Sequence, residues 1–300
     1  MPPNGFTEIA AGFSFLESPR WHEGRLWLSD FYTHRVLRLD AAGRVETVCE
    51  VPARASGLGW LPDGRLLVCA MRERRVLRLE PDGRLVPHAD LSAIAGGHIN
   101  DMVVDGRGRA YVGNFGFDRS GDAKLTPARL ACVWPDGTVR AVAEDLYFPN
   151  GSVITPDGRT LIVAETMGNR ISAFPLAADG TPGPRRDWAV FGPVSADLRM
   201  PAVREAMVVA PDGMALDAEG AVWLADARHR RVLRVAEGGR ILQQIDTGTL
   251  GAYACMLGGP ARRTLYVCVA PDGVPGQARS LTDAALWATE VEVPGAGWPC

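Results

Sequence analysis

Short apolar runs alternate with turn signals along almost the whole chain. The commonest unit is an apolar run, a glycine-containing turn, a second apolar run, a polar gap and then a segment that often reads Arg-Val-Leu-Arg-Leu. Copies of this unit lie at residues 21–40, 60–79, 105–134, 156–174 and 218–235, and a degenerate sixth copy lies at 256–288. Apolar runs of this length, bounded by Gly, Pro and Asp, are typical of β-strands.

The spacing of these copies predicts the fold. A period of about 40 to 60 residues with about four short strands per unit is typical of a β-propeller, whose radial repetition protects the sheet edges. Six copies predict an all-β, six-bladed propeller with four-stranded blades, and we expect one domain to span residues 1–300. Helices are expected to be nearly absent. The apolar segment 6–15 precedes the first full copy, so we expect it to add a strand to the last blade and close the ring.

Two stretches, 116–128 and 191–208, interrupt the repeat. Long loops on a rigid propeller either cover a site or lie on the surface without a role there, and the sequence leaves both interpretations open.

The repeat also places polar residues at equivalent positions. The residue eight places before the turn glycine of a copy is expected to begin the innermost strand, at one mouth of the central channel. This position holds Ser56, Asn100, Asn150 and Asp212 in four copies, and an offset of one residue gives Glu17 in the first. Converging oxygen ligands, two of them carboxylates, are typical of a Ca²⁺, Mg²⁺ or Mn²⁺ site, whereas Zn²⁺ prefers His or Cys. The alternative is that these residues only satisfy backbone donors at strand starts.

Other candidate residues are interpreted as structural. Four histidines lie in blade turns or outer strands: His22, His34, His88 and His229. Asp30 and Asp226 follow the second strand of their blades, where an Asp is expected to fix a blade turn by hydrogen bonding. The sequence contains no Gly-x-Ser-x-Gly motif and no phosphate-binding loop, which argues against a serine hydrolase and a nucleotide-binding enzyme.

Composition excludes several classes of partner. The net charge of −3 gives no electrostatic basis for binding nucleic acid or an anionic membrane. The arginines are spread over turns and strand pairs, and we interpret them as solvated surface. No apolar run approaches the roughly 20 residues that a membrane helix needs. We therefore expect neither nucleic acid nor membrane as a partner.

Cysteine usage and the N-terminal residues predict the compartment. The six cysteines are far apart and form no Cys-x-x-Cys pair: Cys49, Cys69, Cys132, Cys255, Cys268 and Cys300. This pattern favours reduced, buried thiols in a cytoplasmic protein over a disulfide framework or a metal–thiolate site. The first six residues lack the basic start and apolar core of a secretory signal, which fits the same expectation.

Four motifs, in order along nearly the whole chain, resemble those of the family that includes senescence marker protein 30, gluconolactonases and the luciferin-regenerating enzyme. They are Glu17-Ser18-Pro19-Arg20-Trp21, Asn100-Asp101, Phe148-Pro149-Asn150-Gly151 and Pro211-Asp212-Gly213-Met214. The resemblance implies a six-bladed propeller with one divalent cation in its channel and hydrolysis of a small-molecule lactone. Ca²⁺ is the first expectation for that cation, with Zn²⁺, Mn²⁺, Mg²⁺ and Fe²⁺ as alternatives.

The resemblance also implies roles for individual residues. Glu17, Asn150 and Asp212 would be the metal ligands, and Asp212 would also act as the general base for the attacking water. The cation would polarise the lactone carbonyl as a Lewis acid. Asn100 matches a position that faces the substrate.

His98 departs from the family pattern. Senescence marker protein 30 has Arg two places before the matching Asn, so a bidentate donor is replaced here by a shorter and titratable one. The substitution argues against gluconolactone itself more than against lactone hydrolysis. We expect His98 either to contact the substrate or to pack as a channel residue.

Three other functions stay open at this point. A non-catalytic calcium-binding propeller that docks a protein partner would need the same ligands, and a metal-dependent esterase or organophosphate hydrolase would use the same chemistry. A strictosidine-synthase-like propeller acts without metal, which the full ligand set argues against. The expected assembly is a monomer or a weak homodimer.

Overall fold

A computed structural model describes residues 2–3, 5–40, 43–118, 123–271 and 282–297 of the chain. Within these residues, 24 strands form six antiparallel sheets of four strands each, and one short helix lies between two of the sheets along the chain. Each sheet is one blade of a ring. The fold is therefore the expected six-bladed β-propeller.

The strands follow one another regularly. The chain opens with β1 (Thr7–Phe13), and blade one contains β2 (Leu16–His22), β3 (Arg25–Asp30), β4 (Arg35–Leu39) and β5 (Val45–Glu50). Blade two contains β6 (Ala55–Trp60), β7 (Leu66–Ala70), β8 (Arg75–Leu79) and β9 (Leu85–Asp90). Blade three contains β10 (Ile99–Val104), β11 (Ala110–Asn114), β12 (Ala128–Val133) and β13 (Val139–Leu146).

The second half repeats this order. Blade four contains β14 (Pro149–Ile154), β15 (Thr160–Glu165), β16 (Arg170–Pro175) and β17 (Arg186–Val190), and the helix α1 (Met200–Glu205) follows it. Blade five contains β18 (Pro211–Leu216), β19 (Val222–Asp226), β20 (Arg231–Val235) and β21 (Ile241–Asp246). Blade six contains β22 (Gly251–Gly258), β23 (Thr264–Ala270) and β24 (Ala284–Glu290), with β1 as its fourth strand.

The first strand of each blade is innermost. The six innermost strands contact one another in a closed circle: β2, β6, β10, β14, β18 and β22. The N-terminal strand closes the ring because β1 pairs antiparallel with β24, with Thr7 opposite Ala288 and Phe13 opposite Ala284. This confirms the expectation for the apolar segment 6–15.

The core lies between the blades. The centre of the second strand is fully buried in every blade, at Leu28, Val68, Val112, Val163, Leu224 and Val267. The outermost strands β5 and β21 instead contain only exposed and partly buried residues, because they lie at the rim of the ring. Burying a side chain of this size contributes about 1.5–3 kcal/mol to stability, so the repeated second strands anchor the ring.

A buried carboxylate ends the second strand in three blades. Asp30, Glu165 and Asp226 have no exposed surface, and each accepts a backbone N–H from the segment before its innermost strand. Each also accepts from the first arginine of the third strand, at 3.0, 2.8 and 2.8 Å respectively. The turn-fixing role predicted for Asp30 and Asp226 is confirmed. These three arginines are partly exposed, and the interpretation of the arginines as solvated surface is wrong for the buried Arg20 and Arg109.

The two insertions leave the ring at the end where the innermost strands begin, and they contact each other. Within 116–128, residues 119–122 lie outside the described part of the chain. Lys124 forms a β-bridge with Arg199, and the Leu125 N–H donates to the Leu198 carbonyl at 2.8 Å. Asn169 holds the second insertion by donating to the carbonyls of Pro193 and Ala206.

The thiols of the described residues form no disulfide. Cys49 is partly buried, and Cys69, Cys132, Cys255 and Cys268 are buried. Cys300 lies outside the described residues. Among the described residues, no helix has both the length and the apolar character that crossing a membrane requires.

Candidate functional site

The innermost strands present one polar ring at a common end. The second residue of β2, β6, β10, β14 and β18 is a polar residue in each case: Glu17, Ser56, Asn100, Asn150 and Asp212. All five are buried, with at most 8 % of their surface exposed. Each strand begins one residue earlier than the sequence register indicates, and the equivalent residue of β22 is Ala252. The ring is therefore polar on five sides and apolar on the sixth.

Glycines next to the ring residues let the innermost strands approach closely. A Cβ atom built on Gly151 would lie 2.3 Å from the Asp212 carbonyl oxygen, which belongs to the adjacent innermost strand. A Cβ on Gly57 would lie 2.7 Å from the backbone nitrogen of Met102. No side chain fits at these distances, so the absence of a Cβ is what lets the backbones approach.

A chain of hydrogen bonds fixes the amides of the ring. The Ser56 hydroxyl donates to Asn100 Oδ1 at 3.1 Å, and Asn100 Nδ2 donates to Asn150 Oδ1 at 2.6 Å. Asn150 Nδ2 donates in turn to Thr166 Oγ1 at 3.0 Å, and the Thr166 hydroxyl donates to the Pro211 carbonyl at 2.8 Å. Side chains from blades two, three and four are thereby held in one orientation. Thr166 carries no repeat signal, and the sequence did not identify it.

The carboxylates of the ring repel one another. Burial raises the pKa of Glu17 well above its usual range, and the negative charges of Asp212 and Asp101 raise it further. A bound cation would oppose both effects, because it would replace lost hydration and neutralise the neighbouring charges. This end of the channel therefore favours a positive ion.

The donor set fits a hard divalent cation. Glu17 and Asp212 offer carboxylate oxygens and Asn150 offers an amide oxygen, which are ligands that Ca²⁺, Mg²⁺ and Mn²⁺ accept. In the described part of the chain, no group of three or more His, Cys, Asp or Glu residues is arranged to hold a metal ion. A zinc site built from imidazoles and thiolates therefore has no counterpart among these residues.

A buried ion pair lies beside the carboxylates. Arg20 Nη2 donates to Asp101 Oδ1 at 2.7 Å, and both side chains are almost fully buried. The hydroxyl of Ser18, the residue after Glu17, also donates to Asp101 Oδ1. The family motifs contain all three residues, but no sequence pattern predicts that they contact one another.

Aromatic side chains form one wall at the same end. The Phe115 and Phe148 rings stack with centroids 4.0 Å apart, and the His98 ring meets Phe115 edge-on at 6.3 Å. His98 is half-buried and directly precedes β10, so it lies at the edge of the ring of polar residues. This wall offers an apolar surface and one imidazole to a ligand at the channel mouth.

Two other histidines have structural surroundings. His22 ends β2, at the opposite end of the channel, and stacks on Trp60 with centroids 3.9 Å apart. His229 Nδ1 lies 3.0 Å from the buried carboxylate of Asp226. Both arrangements agree with the structural interpretation of these residues.

Comparisons with known proteins support the fold and the family resemblance. The chain is 27 % identical over 294 residues to 6-deoxy-6-sulfogluconolactonase from Pseudomonas putida, covering 94 % of this chain and 93 % of the relative. It is 27 % identical over 289 residues to pentonolactonase XacC from Haloferax volcanii, covering 94 % and 92 %. The solved structure of a calcium-binding protein, regucalcin, from Agrobacterium tumefaciens superposes with a TM-score of 0.76 at 21 % identity, covering 96 % and 94 %. Residues 15–271 match the family described as "SMP-30/Gluconolactonase/LRE-like region". The chain therefore belongs to the SMP-30/gluconolactonase/LRE-like family.

Proposed function

We propose that this protein is a divalent-cation-dependent lactone hydrolase. The convergence of Glu17, Asn150 and Asp212 at one end of the channel carries the proposal, because it joins two buried carboxylates and an amide oxygen. Two relatives that match almost the whole chain are named 6-deoxy-6-sulfogluconolactonase and pentonolactonase. A solved neighbour is named as calcium-binding, which makes Ca²⁺ the first cation to test.

The residues divide between holding the cation and handling the substrate. Glu17, Asn150 and Asp212 would hold the cation, which supplies Lewis acidity toward the lactone carbonyl when bound. Asp212 would take the proton of the attacking water at a carboxylate oxygen. Asn100 would orient the substrate from a side chain that Ser56 and Asn150 already fix.

The wall around His98 shapes the substrate preference. An imidazole offers at most two ring N–H donors and loses one on deprotonation, whereas a guanidinium offers five fixed donors. The stacked Phe115 and Phe148 rings present an apolar surface beside it. A lactone with fewer hydroxyl groups than gluconolactone fits this wall better.

The test is a lactone panel with metal-stripped protein. Hydrolysis is followed by proton release for aldonolactones of five and six carbons and for aliphatic lactones, after addition of Ca²⁺, Mg²⁺, Mn²⁺ or Zn²⁺. We expect turnover only with a divalent cation, and Asp212→Asn should lower kcat by about 10²–10⁴-fold, the usual contribution of a general base. Asp217→Asn is the matched control, since Asp217 is buried and directly follows the other end of β18.

Three results would contradict the proposal. Purified protein that binds no divalent cation would remove its basis. Full activity of Asp212→Asn would exclude that residue as the base. Cation binding without hydrolysis of any lactone would instead favour the non-catalytic calcium-binding propeller.

A further inference from the structure

A positive charge is built into the channel beside the ring of polar residues. Arg20 lies on β2 and is only 4 % exposed. Its guanidinium donates to Asp101 Oδ1 and to the Met102 carbonyl, both at 2.7 Å, and to the Pro19 carbonyl at 2.9 Å. A buried guanidinium is stable only when it is paired and hydrogen-bonded, and these contacts satisfy both conditions.

The partner carboxylate connects this charge to the candidate cation site. Asp101 directly follows Asn100 on β10. Blade two lies between this strand and β2 in the ring. One of its oxygens, Oδ1, accepts from Arg20, from the Ser18 hydroxyl and from the Met102 N–H. Ser18 follows Glu17, the proposed cation ligand, and Asp101 follows Asn100, the proposed substrate contact. The Arg20–Asp101 pair therefore supports the strands that carry both residues.

The charges in this part of the channel sum to a definite value. Glu17, Asp101 and Asp212 are close enough for the charges of the two aspartates to act on Glu17, and Arg20 opposes them. Three carboxylates and one guanidinium have a net charge of −2 when all are ionised. One divalent cation neutralises that charge.

We propose that Arg20 is a positioning residue that, through Asp101, sets the charge of the cation site to match one divalent ion. The inference rests on the proposed function, because it assumes that Glu17, Asn150 and Asp212 bind a cation. Arg20 itself touches neither the cation nor the substrate. Its role is to hold Asp101 in place and to keep the site from favouring ions of higher charge.

Charge-changing variants separate this role from simple structural support. Arg20→Met leaves a net charge of −3, Asp101→Asn leaves −1, and the double variant restores −2. We measure the affinities of metal-stripped protein for Ca²⁺ and La³⁺ by titration calorimetry. An added unit charge at a distance of several ångströms should change the La³⁺ to Ca²⁺ affinity ratio on the order of tenfold.

The expected pattern has opposite signs in the two single variants. The ratio should rise in Arg20→Met, fall in Asp101→Asn and return toward the wild-type value in the double variant. Arg20→Lys keeps the charge and should keep the ratio. Arg109→Met is the matched control, because Arg109 and Asp105 form an equally buried pair at 2.6 Å beyond the far end of β10. It should leave the ratio unchanged even where it lowers stability.

The outcomes distinguish this inference from the proposed function. Wild-type protein that binds neither ion overturns both. Wild-type protein that binds Ca²⁺, with a ratio within twofold of wild type in folded Asp101→Asn and Arg20→Met, overturns only the role of Arg20. If Arg20→Met does not fold, the test uses Asp101→Asn and the double variant. The La³⁺ to Ca²⁺ affinity ratio should fall in Asp101→Asn and return toward the wild-type value in the double variant. A ratio that is unchanged in both variants overturns the role of Arg20.

Discussion

Replacing Gly151 by Ala tests whether close approach of the innermost strands builds the ring of polar residues. The added methyl carbon would lie 2.3 Å from the Asp212 carbonyl oxygen, 2.8 Å from Gly213 Cα and 2.8 Å from the Met214 nitrogen. All three atoms are backbone, so no side-chain rotation relieves the overlap. Normal contact between such atoms needs about 3.5 Å, and blades four and five must therefore separate by roughly 1 Å.

The expected cost follows from this overlap. Overpacking in a well-packed core destabilises by about 1–3 kcal/mol, and contact with backbone on an adjacent strand places Gly151→Ala near the upper value. With a urea dependence of about 3 kcal/mol per molar, a loss of about 3 kcal/mol lowers the unfolding midpoint by about 1 M. The displacement also moves Asp212 away from Asn150, so Ca²⁺ affinity should fall as well.

The assay is urea unfolding followed by tryptophan fluorescence, with Gly192→Ala as the control. A Cβ on Gly192 would meet mainly the Val208 side chain, at 3.1 Å, and Val208 is 52 % exposed, so its side chain can move aside. We expect this control to change the midpoint little. Equal unfolding midpoints for Gly151→Ala and Gly192→Ala would refute the claim that the close approach of β14 and β18 at Gly151 is required for stability.

Three further predictions concern stability and thiol chemistry. Ca²⁺ at 100 times its Kd should stabilise the protein by about 2.7 kcal/mol and raise its Tm by about 4 °C. Both EDTA and Asp212→Asn should abolish this rise in calorimetry. Glu165→Gln should lower the free energy of unfolding by about 3–5 kcal/mol because it breaks the buried ion pair with Arg170. Glu46→Gln breaks an exposed ion pair with Arg38 and should lower it by at most about 1 kcal/mol. Equal losses for the two variants in urea titrations would contradict this prediction. Burial raises the pKa of Cys49 to about 11, so the thiol is protonated at pH 8. In a Cys300→Ser protein, modification of Cys49 by a disulfide reagent should be slow at pH 8 and accelerate about tenfold per pH unit toward pH 10. A modification rate independent of pH would contradict that pKa.

Much of the candidate site could be predicted because the repeat fixes register. Turn glycines stand at a constant distance from the ring position in four copies, so Ser56, Asn100, Asn150 and Asp212 follow from counting. The ring residue of blade six could not be found by the same count. Arg262 occupies the left-handed turn position (φ 55°) that glycine holds in other copies, and β22 has eight residues where four of the other innermost strands have six. The count therefore had no glycine to start from, and Ala252 was not identified.

The blades, the closing strand and the polar positions could be predicted from the sequence, because each depends on local alternation, turn chemistry and a repeat. Which polar residues contact one another depends on the complete ring. Arg20 and Asp101 are 81 positions apart and come into contact because the ring brings β2 and β10 to one channel. Thr166 and the wall of Phe115 and Phe148 come together in the same way. Such contacts depend on the closure of all six blades, and no local pattern records that closure.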